Sequence, residues 1–562
     1  MRPLLILLLY TPFLFAQTKP FPKEDFRPPL DIPMQLSGNF GELRSNHFHT
    51  GFDFRTQQKE GFSVYAVGDG YISRIKISSY GYGKAIYIDH PNGYTTLYGH
   101  LQKGYGKIEA YIRAEQYKQQ SYEIEVFPKP GELVVKKGDT IAISGNTGGS
   151  EGPHLHFEFR DTKTEKIINP HYFGFDLKDT RPPAVSSLVA YPVSDSSHVN
   201  QSGKPIIIAL SKQPDGTFIS QKVSASGKIG FGFSGYDQDD QSWNNNGIFK
   251  AQSFVNGKES FGFKFDSLAF DQGRYINALI DFPRYKRSQQ RVIKMFMETP
   301  FPLSAVRTDA TNGMVSTTPG LSQLYKLEVS DFYDNKSTIL VPIDYTPPAI
   351  VVLRDVAVSN YFVYAKKDAV FEKDGMSVFF PAGTFYEDFA LQFDVKDSVM
   401  TVQDDYTPVH GNFSVSVKKP GATNPEKTFI ASVSGKRLSY NATKYKDGVF
   451  TTWTKNLGGF TLAEDTTPPR ITIAKPIEGK WITKQNAIDL RISDEMSGIG
   501  TYNGYLNGKW VLFEYEHKAK RIRHVFDEAL LNEGANQLKV VVTDNVGNSA
   551  IFETQFFRSQ QK

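Results

Sequence analysis

"HFHTGFDF" occupies residues 47–54 and "GPHLHFE" occupies residues 152–158. Each stretch holds two histidines spaced i, i+2, and the first adds an aspartate. In an extended chain, side chains alternate between faces, so positions i and i+2 share a side. On a strand, Phe48, Thr50, Phe52 and Phe54 form one apolar face, while His47, His49, Gly51 and Asp53 form the other. His49 and Asp53 then stand together with Gly51 between them, which leaves room for something to approach. His154 and His156 share a face in the same way, with Leu155 turned to the opposite side.

Histidine nitrogen and carboxylate oxygen at such spacing are suitable zinc ligands, and three protein ligands leave the fourth tetrahedral position open. The plainer reading is a set of surface or core histidines without metal, and a single His-x-His deserves it more often than not. Two such motifs lie in one region here, and seven of the eleven histidines precede residue 172. The chain has no cysteine, so any metal site must use histidine and carboxylate.

The surrounding residues, 30–175, are rich in strand patterns ("YISRIKI", "KAIYIDH", "YTTLYGH", "TIAISG") separated by glycine turns. One segment, "GKIEAYIRAEQYKQQS" (106–121), has apolar residues at 108, 111 and 112 and predicts a short amphipathic helix. "GNTGGSEG" (145–152) lacks the Lys-Ser/Thr that would follow in a phosphate loop. It reads instead as a turn that lets the backbone pass beside the "HLH" strand.

A chain of 562 residues exceeds one hydrophobic core. At about 150 residues per domain it has room for roughly four. With 40% hydrophobic and 22% charged residues, wholesale disorder is excluded. A net charge of +4 gives no electrostatic case for nucleic acid but suits an anionic polymer surface. The 43 Phe and 29 Tyr fit a strand-rich chain. The opening "MRPLLILLLYTPFLFAQTKP" has the pattern of a secretory signal peptide, residues 1–16, cut after Ala16. Its apolar run is too short to span a membrane, and no cysteine follows to carry a lipid. The expectation is an exported protein that does not span the membrane, in the periplasm or the extracellular space, with the periplasm favoured.

Three proline-pair marks punctuate the rest: "DTRPP" (179–183), "DYTPP" (344–348) and "DTTPP" (465–469). Proline pairs enforce extended backbone and are excluded from central strands, so each reads as a linker opening a new β-domain. The expected domains are 180–345, 346–465 and 466–562. "GIFKAQSFVNGK" (247–258) aligns without gaps on "GIGTYNGYLNGK" (498–509), and both end in the Asn-Gly signal of a tight hairpin. "QLKVVVTDNVGNSAIFE" (537–553) resembles the terminal hairpin of bacterial immunoglobulin-like domains. The fold class expected is all-β and multidomain: an antiparallel-sheet domain followed by about three β-sandwiches.

"FGELRSNHFHTGFDF" (40–54), "YTTLYGHL" (94–101) and "VKKGDTIAISGNTGGSEGPHLHFEFR" (135–160) together resemble the three signature segments of the lysostaphin-type (LytM-like) zinc endopeptidases. The resemblance covers about residues 37–170. It implies zinc bound by His49, Asp53 and His156, with His100 and His154 catalytic beside it, their division of labour left open. His47 falls outside the pattern. His90, in "DHPNGY", is expected at a solvated hairpin turn, and the five remaining histidines are read as structural. Arg44 and Asn46 fit either a substrate contact or plain surface. The connection 102–134 is longer than in compact relatives and is expected to border or cover the substrate groove, gating access or docking a partner.

The resemblance further implies a metalloendopeptidase that hydrolyses peptide crosslinks of bacterial peptidoglycan. The alternative is a non-catalytic or self-inhibited wall-binding regulator of other hydrolases. The β-domains would hold a wall glycan or a protein partner, or act as spacers.

Overall fold

The computed structural model describes residues 21–241, 243–349 and 359–559. The expected signal peptide (1–16) and the apolar run directly after the second proline pair (350–353) lie outside these residues.

The N-terminal region forms strands β1 (Leu36–Gly38), β2 (Phe52–Arg55), β3 (Ser63–Tyr65), β4 (Gly70–Ile77), β5 (Lys84–Asp89), β6 (Tyr94–Gly99) and β7 (Leu101–Gly104). Helix α1 (Lys107–Gln119) follows, then β8 (Ile124–Val126), β9 (Thr140–Ser144), β10 (His154–Asp161) and β11 (Ile167–Ile168). The main sheet runs β1-β2-β10-β6-β5-β4-β8, and a small sheet runs β3-β9-β7, all antiparallel. Strand β10 is central and covered on both faces. Leu155, Phe157 and Phe159 enter the aromatic core, while His154, His156, Glu158 and Arg160 share the opposite face.

"HFHTGFDF" is not one strand. Only His47–Phe48 and Phe52–Arg55 are extended, and residues 49–51 leave the ladder. A Cβ at Gly51 would lie 2.1 Å from the Phe157 carbonyl oxygen, so the chain crosses β10 too closely for any side chain there. The glycine turn 145–152 passes chiefly against residues 81–83. At Gly148 (φ 72°) a Cβ would come within 2.3 Å of the Gly83 nitrogen.

Helix α1 matches the predicted segment and buries Ile108, Ile112 and Gln116, one turn apart on one face. The insertion carrying it does not border the groove at the histidines, whose lining includes no residue from 103 to 133. It meets the last region of the chain instead. Tyr117 packs edge-on against Trp510 (5.4 Å), and Glu514 lies between Lys84 (2.7 Å) and Arg113 (3.9 Å).

Residues 184–345 build sheets of five and nine strands. This region packs directly on the N-terminal one. Strand β12 (Ser267–Leu268) pairs with β11, Phe48 packs on Phe265, and one continuous apolar core runs through both regions. Residues 359–465 form two five-stranded sheets and a two-stranded ladder around Val378, Phe413 and Phe460, while the last region forms two four-stranded sheets around Leu490, Val540 and Phe556. In both halves of the internal repeat the Asn-Gly pair takes positive φ (50° and 83° at 256–257, 51° and 79° at 507–508). That is the turn which matches strand twist in a two-residue hairpin. Among the described residues no helix is long and apolar enough to cross a membrane, which says nothing about a β-barrel.

Candidate metal centre

Register brings the site together. His156 on β10 lies opposite Asp53 on β2 and opposite Gly99 on β6. His49 reaches the same point from the break before β2. Its Nε2 is 3.1 Å from Asp53 Oδ1 and 3.1 Å from His156 Nδ1, and His156 Nδ1 is 2.8 Å from Asp53 Oδ1. All three residues are buried. A tetrahedral zinc with bonds of about 2.0–2.1 Å has ligand–ligand edges of roughly 3.3 Å, so the two nitrogens and one oxygen fit.

Each ligand is held from behind. His49 Nδ1 donates to the Asn39 carbonyl (2.7 Å), which leaves Nε2 as the ligating atom. His156 Nε2 donates to Glu158 Oε1 (2.9 Å), which leaves Nδ1. Glu158 also accepts from Thr50 Oγ1 (2.6 Å), Tyr82 OH (2.6 Å) and Arg160 Nε (2.8 Å). Burial works against a charged Glu158, but Arg160 and His156 outweigh it and hold the carboxyl well below its usual range. An anion behind a histidine ligand fixes its tautomer and raises its basicity. Burial likewise disfavours a charged Asp53, yet the surrounding His49, His154 and His156 hold its carboxyl well below its usual range. Arg44 Nη2 donates to Asp53 Oδ2 at 2.5 Å.

His154 and His100 stand beside the cluster with rings 4.7 Å apart. His154 Nδ1 donates to the Gly152 carbonyl (2.8 Å), and its buried Nε2 has no hydrogen-bond partner and lies 3.4 Å from Asp53 Oδ1. His100, at a left-handed φ of 57° just past β6, donates Nδ1–H to Thr147 O (2.8 Å). Burial, joined by His154 and His156, pushes His100 down to about 3, so its imidazole is neutral. An open groove of about 1040 Å³ leads to these residues, lined by Arg44, His47, His100 and His154 and, across it, Asn244 and Arg291.

The structure thus gathers all five predicted residues and leaves His47 exposed at the rim, bonded to Ser45 O. Arg44 braces Asp53, and Asn46 accepts from Asn277 of the next region. His90 is buried rather than solvated, bonded to Asp69 O and Thr96 Oγ1, because the 90–93 turn folds back onto Phe26. Sequence reasoning missed Glu158, Thr50, Tyr82 and Asn39. Glu158 had a signal, since the alternation that pairs His154 with His156 continues to it.

The last region touches this neighbourhood. Lys518 Nζ donates to the carbonyls of Asn146 (2.6 Å) and Ser150 (2.8 Å), and Ser150 Oγ lies 3.1 Å from His154 Nδ1.

An antiparallel sheet bearing a His–Asp–His cluster with two further imidazoles defines a metallopeptidase class of domain. Residues 47–117 and 125–170 match Peptidase family M23, and residues 360–465 match the Zu5-like domain. An uncharacterized metalloprotease of Haemophilus influenzae is 36% identical over 122 residues, 22% of this chain and 20% of that protein. The peptidoglycan DD-endopeptidase ShyC of Vibrio cholerae is 32% identical over 143 residues, 24% of this chain and 27% of that protein. A solved zinc-containing peptidase from Vibrio cholerae aligns at 28% identity over 27% of this chain and 41% of its own, with a TM-score of 0.20. The similarity spans only 20% and 27% of the length of those two curated relatives.

Proposed function

We propose that the chain is an exported zinc metalloendopeptidase that hydrolyses peptide crosslinks of bacterial peptidoglycan. The convergence of His49 Nε2, Asp53 Oδ1 and His156 Nδ1 beneath an open groove carries this reading. The match to Peptidase family M23 and a relative named as a peptidoglycan DD-endopeptidase support it. His49, Asp53 and His156 would hold zinc, which supplies a Lewis acid and lowers the pKa of water toward neutrality.

The chain's own groups handle the proton. His154 Nε2, a lone pair fixed by the Nδ1 bond to Gly152, takes a proton from the attacking water and delivers it to the leaving amine. His100 stays neutral and orients the water or the amine N–H through its own Nε2. Arg44 holds Asp53 Oδ2, which leaves Oδ1 toward the histidines. The β-domains brace the catalytic region and contribute Asn244 and Arg291 to the groove. An open groove favours catalysis over the regulatory alternative.

The test is digestion of purified sacculi by the zinc-loaded full chain, with released amino groups counted and muropeptides identified by mass spectrometry. New amino termini at crosslinks are expected. Intact crosslinks with a full complement of zinc would overturn the proposal.

A further inference from the structure

Outside this centre the chain gathers a second set of donors. Carboxylate oxygens of Asp179, Asp237 and Asp331 lie within 4.8 Å of one another. A small cavity of about 30 Å³ at the junction of the first two regions is lined by Asp179, Asp237, Asp239 and Asn246. Asp237, Asp239 and Asn246 are only 8%, 3% and 5% exposed, yet Asp237 Oδ1, Asp239 Oδ2 and Asn246 Oδ1 have no hydrogen-bond partner. Three orphaned buried oxygens in one place are costly unless something cationic satisfies them.

The framework around them is ordered. The backbones of Asp237 and Asn246 bond to each other in both directions (3.0 and 2.8 Å), so the loop between them is closed at its neck. Asp331 accepts from the amides of Tyr333 and Asn335 and from Asn335 Nδ2, whose other bond goes to Asp179 O. Asp239 Oδ1 accepts from Gln241 N, while its Oδ2 is buried without a partner.

The last region repeats this plan with a different filling. Asp465, Asp494 and Asp544 also bring oxygens within 4.8 Å, and Asn548 bonds Asp544 and Asp465 O as Asn335 bonds Asp331 and Asp179 O. There, however, Asp494 Oδ2 is capped by the amides of Met496 and Gly498, and Asp465 Oδ2 by Ser497 N. The short "SDEMSG" loop closes over its own triad. The longer "DQDDQSWNNN" loop adds Asp239 and Asn246, and three buried oxygens here have no partner.

We infer that Asp179, Asp237, Asp239, Asn246 and Asp331 form a calcium site at the junction of the first two regions. The set is all oxygen, rich in carboxylate and irregular, which suits a cation taking six to eight oxygens at flexible geometry over magnesium's strict octahedron. Without a cation the cluster repels itself. Burial, with Asp179 and Asp331 adding their charge, pushes Asp237 up to about 8. The site backs the metal centre. Gly247, next to Asn246, exchanges two 2.8 Å hydrogen bonds with the Asn39 side chain, and the Asn39 carbonyl holds His49.

Calcium chloride titrated into the zinc-loaded full chain by calorimetry should reveal one site. A thermal scan should show Tm rising by about 5 °C at a hundredfold excess over Kd. Asp237→Asn and Asp239→Asn keep size and relieve repulsion, so they should fold without calcium and bind it at least tenfold more weakly. Asp494→Asn should leave the isotherm unchanged. Should the first two variants not fold, Asn246→Asp, which adds a charged oxygen, should tighten binding. Absence of binding at millimolar calcium, unchanged affinity in Asp237→Asn, Asp239→Asn or Asn246→Asp, or loss of the site in Asp494→Asn would overturn the assignment.

Discussion

At the His49–Asp53–His156 cluster every imidazole is held by a partner behind it, whereas around the second cluster the buried oxygens Asp237 Oδ1, Asp239 Oδ2 and Asn246 Oδ1 have none. Asn39 stands between them, lining the cavity with its side chain and holding His49 with its carbonyl. The first arrangement is prepaid: tautomers and orientation are fixed before any ligand arrives. The second leaves its electrostatic cost standing until a cation meets it. A chemical centre gains from the former and a structural tie tolerates the latter.

The comparison breaks most sharply at His156. His156→Ala is expected to lose zinc, by elemental analysis, and hydrolysis down to background, while the calcium isotherm stays as in the parent. Coupled loss of both ions would mean the two clusters are one site. Next in size is His154→Ala. It should keep a full complement of zinc and lose about 10²–10⁴ in kcat, the usual worth of a positioned proton carrier. Wild-type turnover would remove His154 from the chemistry.

Glu158→Gln tests the prepaid support itself. Zinc affinity should fall about 10–100-fold with ligands intact, measured by competition with a chelating dye. An unchanged affinity would show that Tyr82, Thr50 and Arg160 hold the strand without serving the ligand. The smallest effect lies at His171, which lines the cavity and packs on Phe52 beside the metal centre. Burial pushes His171 down to about 4 despite its bond to Phe175 O. The unfolded imidazole takes its proton near 6.5, so the unfolded chain binds more protons between these values. The His171 contribution to stability is then full above about pH 6.5 and falls as pH drops toward 4, by roughly 3 kcal/mol. The difference between the parent and His171→Gln in urea titrations at pH 7 and pH 4.5 reads this contribution, since Asp237 acts across the same range with the opposite sign.

The five residues of the candidate site were legible through the resemblance of three segments to a known family, and period-2 alternation kept His154 and His156 together. Glu158 was legible by the same rule and went unread. His90 misled because a hairpin turn is usually wet, and nothing local announces that Phe26 will cover it. The insertion misled because its helix was recognisable but its destination, Trp510 and Glu514, lies about four hundred residues away.

The sequence by itself determined an all-β chain, the histidine and carboxylate donors, the Asn-Gly hairpins and the repeated proline marks, since each depends on local backbone preference or side-chain identity. Only the tertiary structure decided that "HFHTGFDF" breaks at Gly51, that β10 sets His156 opposite Asp53, and that the first two regions share one core. It alone brought Asp179, Asp237, Asp239 and Asn246 to one cavity, with Asp331 beside Asp179 and Asp237. Register and long-range packing are set by which surfaces exclude water together, and that is a property of the whole fold.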